Sequence, residues 1–227
     1  MRTCGDIASA ARQLLLTLGL GLAGGCATFG GGPSLPPLLD PDSEAMQAVA
    51  PDRFKVLFET TEGDFVLEAY REWAPLGTDR FYNLVRHGFY DGARFFRVLP
   101  GFVVQFGLPG DPALTEIWSE RRIEDDPVVE SNVEGYVSFA TAGPGTRTAQ
   151  VFINLADNSR LDAMGFAPFA RIVGGMDIVG RLYAGYGEGA PQGRGPSQDR
   201  IQEEGNRYLE AEFPELDYIY RARVLPP

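Results

Sequence analysis

The sequence predicts one folded domain of mixed or mainly β content, preceded by a leader and a short polar segment. The chain of 227 residues is 44% hydrophobic and 22% charged, which is enough to build one sizeable core. Apolar residues alternate along the chain from Phe54 onward, and a second strand-like run occupies residues 95–107. These observations favour paired strands around a single core.

The first 25 residues are predicted to be a signal peptide for export. Arg2 and Arg12 are followed by an apolar run at residues 14–23 and then by the small residues Gly24 and Gly25. A bilayer-spanning helix needs about 20 apolar residues, so this run is too short to span. We therefore expect the segment to be removed rather than kept as an anchor.

Cys26 follows the leader directly, in the run Leu-Ala-Gly-Gly-Cys. This run resembles the lipobox of bacterial lipoproteins, in which that cysteine becomes the lipidated amino terminus. The resemblance implies a protein lipid-anchored in a bacterial cell envelope, on its periplasmic or extracytoplasmic face. Because the chain carries a formal charge of −11, anionic lipid would repel it, and attachment would rest on the acyl chains.

Residues 26–50 are predicted to be a flexible tether, and residues 51–227 the folded domain. Glycine and proline are frequent between residues 30 and 37, and the segment shows no apolar periodicity. The second cysteine, Cys4, lies in the leader, so the domain is expected to have no disulfide. Its stability must then come from core packing.

The domain is predicted to begin with a hairpin and a helix. Apolar residues alternate from Phe54 to Phe58 and again from Phe65 to Ala69, with a turn around Gly63. Pro75 then opens a helical stretch with an apolar stripe that includes Phe81, and Gly88 is placed to end the helix.

Arg97 and Gln105 stand among bulky apolar residues in the strand-like run 95–107. A guanidinium does not lose its charge in a protein, and burying it without a partner costs several kcal/mol. Arg97 is therefore predicted to face a surface where an apolar ligand with a hydrogen-bond acceptor docks. A simple surface ion pair is the alternative interpretation of this arginine.

The run 95–107 resembles the signature strands of cyclophilin-type peptidyl-prolyl isomerases, which place an arginine, a phenylalanine and a glutamine on one face of a β-barrel. The corresponding residues here are Arg97, Phe102 and Gln105. Residues 135–155 and 161–179 are similar to later cyclophilin segments, so the resemblance covers roughly residues 54–182.

The resemblance implies a closed antiparallel β-barrel capped by two helices and a peptidyl-prolyl cis-trans isomerase activity that needs no cofactor and no metal. It implies Arg97 as the catalytic residue. The residues implied to bind substrate are Phe102, Val103, Gln105, Ala140, Thr141, Gln150, Phe152, Leu161 and Phe166.

The expected partners are X–Pro segments of exported polypeptides, bound by a monomer. Isomerisation of an X–Pro bond requires rotation about a partial double bond and no nucleophile. The rival hypothesis is a non-catalytic envelope scaffold or chaperone that holds Pro-containing segments of a partner protein with the same pocket.

Other chemistries have little support in the sequence. The single histidine, His87, leaves almost nothing for a metal cluster or a Ser-His-Asp arrangement. The acidic balance argues against nucleic acid as a partner. The pair Asp125-Asp126 is interpreted as a solvated face. Residues 183–216 lie outside the resemblance, and residues 218–224 are predicted to form a closing strand in which Tyr218, Tyr220 and Ala222 share a face.

Overall fold

The computed structural model describes residues 36–227. The predicted leader, Cys26 and the first part of the predicted tether lie outside the described residues. In the part of the chain that is described, no helix is both long enough and apolar enough to span a membrane.

Residues 36–227 form eight strands and five α-helices. The strands are β1 (Arg53–Thr60), β2 (Gly63–Tyr70), β3 (Arg97–Leu99), β4 (Val103–Phe106), β5 (Tyr136–Phe139), β6 (Val151–Asn154), β7 (Pro168–Gly174) and β8 (Ile219–Val224). The helices are α1 (Pro75–Arg86), α2 (Pro112–Ser119), α3 (Met176–Val179), α4 (Gln198–Glu204) and α5 (Asn206–Glu212).

The strands form one curled antiparallel sheet in the order β3-β4-β6-β5-β7-β2-β1-β8. The prediction of mainly β structure is confirmed. The closed barrel is not shown, because β3 and β8 end the sheet and are not paired with each other. A single bridge between Arg94 and Tyr218, just ahead of these strands, joins the two ends. β3 is only three residues long, which leaves little backbone for further pairing.

The predicted hairpin and first helix are confirmed. Phe54 pairs with Ala69 and Phe58 with Phe65, and these four side chains are buried. Phe81 on α1 is also buried. Gly88 has a φ of 75° just beyond the helix, a left-handed conformation that favours glycine, and its N–H bonds the carbonyl of Val85.

Aromatic rings fill the space between the sheet and α1. Phe58 stacks on Phe65 at 4.8 Å and meets Phe106 edge-on at 5.7 Å. Phe106 also contacts Phe95 and Tyr90. Because β4 contributes Phe106 to this core, its other face is available for a site on the opposite side of the sheet.

The prediction of two capping helices is incomplete, since five helices are described. α2 begins at Pro112 behind the capping carboxylate of Asp111 and buries Trp118. α4 and α5 lie in the segment 183–216 that the sequence left unassigned. They build a second, smaller cluster from Phe96, Leu108, Ile201, Tyr208, Leu209, Phe213 and Leu216.

The tether prediction is wrong for residues 36–50, which pack against the domain. Met46 and Ala50 are buried. The Trp118 indole donates to the carbonyl of Leu38 at 2.9 Å, and the Asn83 amide donates to the carbonyl of Ala48 at 2.7 Å. The two hydrogen bonds use backbone carbonyls of the segment, which the side-chain pattern does not reveal.

The face predicted for the last strand is also wrong. Tyr220 is 59% exposed, whereas Ile219 and Ala222 are buried. Thr60 pairs with Ile219 while Glu59 pairs with Arg221, so Tyr220 is an extra, bulged residue. A bulge breaks the alternation of faces along a strand, and no sequence pattern here predicts this bulge.

Candidate active site

Three neighbouring strands place a row of side chains on one face of the sheet. Arg97 on β3 lies opposite Gln105 on β4, and Gln105 lies opposite Phe152 on β6. Directly opposed residues point to the same side of a sheet. The two polar groups of the β3-β4 hairpin are thereby brought next to an aromatic ring from a distant part of the sequence.

The turn between β3 and β4 adds a second ring to this row. Pro100 and Gly101 form the turn, Gly101 has a φ of 73°, and the N–H of Phe102 bonds the carbonyl of Leu99 at 2.9 Å. Phe102 is half-buried and lies at the edge of the row.

Apolar side chains form the floor of a cavity of about 350 Å³ beside Arg97. Val103, Phe152 and Leu161 are buried in one cluster, against which Phe102, Ala140 and Phe166 pack. The rings of Phe152 and Phe166 meet edge-on at 5.5 Å. The polar residues Arg97, Gln105 and Thr141 also line the cavity.

Nine of the ten predicted catalytic and binding residues line this cavity. They are Arg97, Phe102, Val103, Gln105, Ala140, Thr141, Phe152, Leu161 and Phe166. The tenth, Gln150, lies beside it and lines a neighbouring cavity instead. Gln150 accepts a hydrogen bond from Nε2 of Gln105 at 2.9 Å, so it contacts the polar row through Gln105.

A polar chain fixes the orientation of the Gln105 amide. Its Oε1 accepts from Nη1 of Arg97 at 3.2 Å, and its amide nitrogen donates to Gln150. Both ends of the amide are therefore satisfied in a residue that is only 8% exposed.

Arg97 has a second partner that the sequence did not predict. Its Nε donates to Oε1 of Glu188 at 2.6 Å and its Nη2 to Oε2 at 2.7 Å. These bonds from Arg97 hold the pKa of the Glu188 carboxyl below its ordinary value. The alternative interpretation of Arg97, a surface ion pair, is correct to the extent that the pair exists, but the same guanidinium also lines the cavity.

Two further residues of the cavity rim were missed. Gln198, from the start of α4, and Met164, which is 65% exposed, both line the cavity. Neither lies in a strand whose alternation could have pointed to it. Arg160 also lies at this edge, with its Cζ 5.0 Å from the centre of the Phe102 ring, while the Cζ of Arg97 lies at 5.6 Å.

The interpretation of Asp125-Asp126 as a solvated face is wrong for Asp126, which is 5% exposed. Its carboxylate accepts from the N–H groups of Leu76 and Gly77 at the start of α1 and pairs with Arg147 at 3.1 Å. Arg147 lies in the loop between β5 and β6, so this buried pair ties α1 to the loop that carries Thr141.

Among residues 36–227, no group of three or more His, Cys, Asp or Glu side chains is arranged to hold a metal ion. The cavity instead combines an apolar floor with a fixed cation and a fixed amide. Such a site suits a chain segment that inserts one apolar side chain and presents a peptide group to hydrogen-bond donors. A site of this kind fits a protein that binds peptides.

The family comparison gives this class a name. The model of the cyclophilin type peptidyl-prolyl cis-trans isomerases matches residues 55–205. The chain belongs to this family of enzymes, and the isomerase class predicted from the sequence is confirmed.

Curated relatives agree with this assignment. A peptidyl-prolyl cis-trans isomerase-like 1 of Gibberella zeae is 37% identical over 130 residues, covering 56% of this chain and 80% of the relative. The corresponding protein of Rhizopus delemar is 34% identical over 134 residues, covering 58% and 81%. Peptidyl-prolyl cis-trans isomerase B of Escherichia coli is 32% identical over 136 residues, covering 56% and 82%.

A solved structure shares the fold. The crystal structure of a cyclophilin type peptidyl-prolyl cis-trans isomerase from Cryptosporidium parvum aligns with a TM-score of 0.56 at 19% identity, covering 77% of this chain and 99% of that one. The family match begins at residue 55, so the leader, Cys26 and the lipoprotein form stay predictions.

Proposed function

We propose that this protein is a peptidyl-prolyl cis-trans isomerase of the bacterial cell envelope, lipid-anchored through Cys26 and acting on X–Pro segments of exported polypeptides. The observation that carries the catalytic part is one cavity in which Arg97 and Gln105 border an apolar floor. A related Cryptosporidium parvum structure was determined in the presence of the dipeptide Ala-Pro, which supports a prolyl ligand for this cavity.

The substrate proline would occupy the apolar floor. Its ring is apolar and lacks an N–H, so Phe152, Leu161 and Phe166 can surround it without leaving a donor unsatisfied. Phe102, Val103 and Ala140 would complete the walls, and Thr141 would contact the neighbouring backbone. Gln150 would hold Gln105 in place.

Arg97 would act on the twisted state of the X–Pro bond. As the bond rotates, the prolyl nitrogen becomes pyramidal and regains a lone pair, to which a guanidinium N–H can donate. Gln105 would orient the neighbouring peptide group. A hydrogen bond to a charged group contributes about 1.5–3 kcal/mol.

That contribution alone is too small for efficient catalysis. An acceleration on the order of 10⁴ requires about 5.5 kcal/mol. The planar amide is more dipolar than the twisted one, so transfer from water into an apolar cavity raises the free energy of the ground state more than that of the transition state. The buried floor of Val103, Phe152 and Leu161 is suited to this contribution.

The envelope part of the proposal is supported by the sequence of the leader. Arg2 and Arg12, the short apolar run and the small residues before Cys26 form the pattern of an exported lipoprotein. An exported isomerase would meet chains that have just crossed a membrane unfolded, a state in which X–Pro bonds populate both isomers.

The test is exchange NMR or a protease-coupled assay of an Ala-Pro peptide with the full chain in detergent. Arg97→Ala is expected to lower kcat/KM at least tenfold with unchanged thermal unfolding. Arg207→Ala is the matched control, because this arginine is 82% exposed and does not line the cavity. It should keep full activity.

The rival function, a non-catalytic scaffold, gives a different result in the same experiment. The wild-type protein would then bind the peptide, seen as chemical-shift changes, without accelerating cis-trans exchange above the uncatalysed rate. Equal activity in wild type and Arg97→Ala would remove the proposed role of Arg97.

A further inference from the structure

Glu188 comes from a segment that the sequence pattern of the family did not lead us to expect at the site. It lies between α3 and α4, separated from Arg97 by 91 positions in the chain. Its two carboxylate oxygens face Nε and Nη2 of Arg97 in a parallel pair of charged hydrogen bonds, at 2.6 and 2.7 Å. Two-point pairing of this kind fixes the plane of a guanidinium as well as its position.

The loop around Glu188 is built to hold this carboxylate. Oε1 also accepts from the N–H of Gly189 at 2.9 Å, and the backbone carbonyl of Glu188 accepts from Gly195 at 2.8 Å. A Cβ at Gly193 would overlap the same carbonyl oxygen, and one at Gly195 would lie 2.8 Å from it. Only glycine at these two positions lets the loop fold tightly behind Glu188.

The ion pair leaves Arg97 with donors to spare. A guanidinium has five N–H groups. Among the described residues, Glu188 takes two of them and Gln105 takes one. Two N–H groups therefore remain for a ligand.

The position of Glu188 relative to the cavity shows whether it holds Arg97 in place or blocks the substrate. Arg97 and Gln105 line the cavity, whereas Glu188 is not among the described residues that line it. The carboxylate thus contacts Arg97 from outside the space a proline would fill. A blocking residue would have to lie within that space.

We propose that Glu188 is a positioning residue for isomerisation, which holds the Arg97 guanidinium in the orientation that donates into the cavity. The inference rests on the proposed role of Arg97. An arginine side chain has large rotamer freedom, and fixing it before the substrate arrives removes an entropic cost from the transition state. Glu188 would therefore act on kcat more than on KM.

The experiment compares the full chain in detergent with the variants Glu188→Ala, Glu188→Gln, Arg97→Ala and the double variant Arg97→Ala/Glu188→Ala. Glu188→Ala is expected to lower kcat about tenfold with KM changed less than about twofold. Glu188→Gln keeps one acceptor oxygen, so its kcat should lie between wild type and Glu188→Ala. The double variant should equal Arg97→Ala, because Glu188 acts only through that arginine.

The control is Glu212→Ala, which removes another paired carboxylate from the same segment. Glu212 contacts Arg200 through both oxygens and does not line the cavity. Its kcat should stay at the wild-type value. The Nε–H signal of Arg97 in NMR spectra supplies a readout besides activity: it should shift and exchange faster with water in Glu188→Ala.

The possible contrary results are distinct. Unchanged kcat in Glu188→Ala would overturn the inference, and raised kcat would show that Glu188 withholds Arg97 from substrate. A further loss in the double variant relative to Arg97→Ala would indicate a merely structural role. Full activity in Arg97→Ala would overturn the role of Arg97 itself, and with it this inference.

Discussion

The environment of Arg97 is assembled from three directions. Gln105 faces it across the strand pair, and the Phe102 ring lies within cation–π distance. Glu188, from a loop distant in sequence, forms an ion pair with it. Phe152 differs from Phe102 in burial, since it is 5% exposed while Phe102 is half-buried at the rim. Substitution of the buried Phe152 should therefore affect mainly stability, and substitution of the rim residue Phe102 mainly activity.

Phe152→Ala is expected to lower the free energy of unfolding by about 3–5 kcal/mol, because it empties a buried aromatic position. Phe102→Ala should cost much less stability yet lower kcat/KM, since its ring borders the cavity. Urea unfolding and the peptide assay measure the two effects, and Val129→Ala, at a 59% exposed position, is the control. Equal loss of stability in both variants would contradict the assignment of Phe102 to the rim.

Sequence reasoning located the residues that follow a short-range pattern. Arg97, Phe102 and Gln105 belong to one hairpin, and the spacing of that hairpin carries the resemblance. Glu188 could not be found this way, because its contact joins distant segments and depends on a glycine-rich loop without periodicity. Asp126 was misjudged because a charge is recognisable in a sequence while its buried partner, Arg147, is not.

At the level of elements, the segment 183–216 consists of a pair of helices that pack against the domain and a loop that contacts the site. α4 and α5 contribute Ile201, Tyr208 and Leu209 to a small apolar cluster that includes Phe96, which precedes β3. The loop before α4 carries Glu188 to Arg97. The sequence suggested neither part, because the apolar residues of the two short helices are interrupted by acidic ones. The strands, in contrast, were predictable wherever apolar and polar residues alternate regularly. The prediction of the buried face was wrong at the bulged Tyr220.

Gly193→Ala tests the loop without touching a charged group. The new Cβ would overlap the Glu188 carbonyl, so the loop must shift. This shift should weaken the ion pair between Glu188 and Arg97. We expect kcat to fall severalfold, by the same route as in Glu188→Ala, with a small change in thermal unfolding. Gly180→Ala is the control, since a Cβ there would meet its nearest atom at 3.6 Å, an ordinary contact. Full activity in Gly193→Ala would show that the loop tolerates the displacement.

On the scale of the whole molecule, the folded unit begins earlier than residue 51. Met46 and Ala50 fill core positions, and the Ala50 N–H bonds the Asp79 carboxylate at 2.9 Å. Asp79 in turn pairs with Arg71 at 2.8 Å, so the segment is joined to a network between β2 and α1.

Removal of this segment should destabilise the domain. A protein beginning at residue 51 is expected to unfold at a temperature about 5 °C or more below one beginning at residue 36, given that each kcal/mol shifts Tm by roughly 2–4 °C at this size. Differential scanning calorimetry of the two proteins measures the difference. Identical melting temperatures would mean that residues 36–50 add nothing to the stability of the fold.

The anchor proposal is tested at the same scale. Cys26→Ser is expected to release the protein from membranes while leaving peptide isomerisation unchanged, because the residues proposed for catalysis and substrate binding begin at Arg97 in the chain. Fractionation, labelled-fatty-acid incorporation and the peptide assay report on these two properties. Retention on membranes after the label is lost would indicate a kept leader helix or a protein partner.

The docking of residues 36–50 has a geometric consequence if Cys26 is lipidated. Only about ten residues then separate the bilayer from the body of the enzyme, and a fully extended chain of that length reaches roughly 35 Å. The active cavity would then stay within a thin layer next to the membrane and would not reach substrates far from it. Clients would be chosen by where they emerge as well as by which prolines they carry.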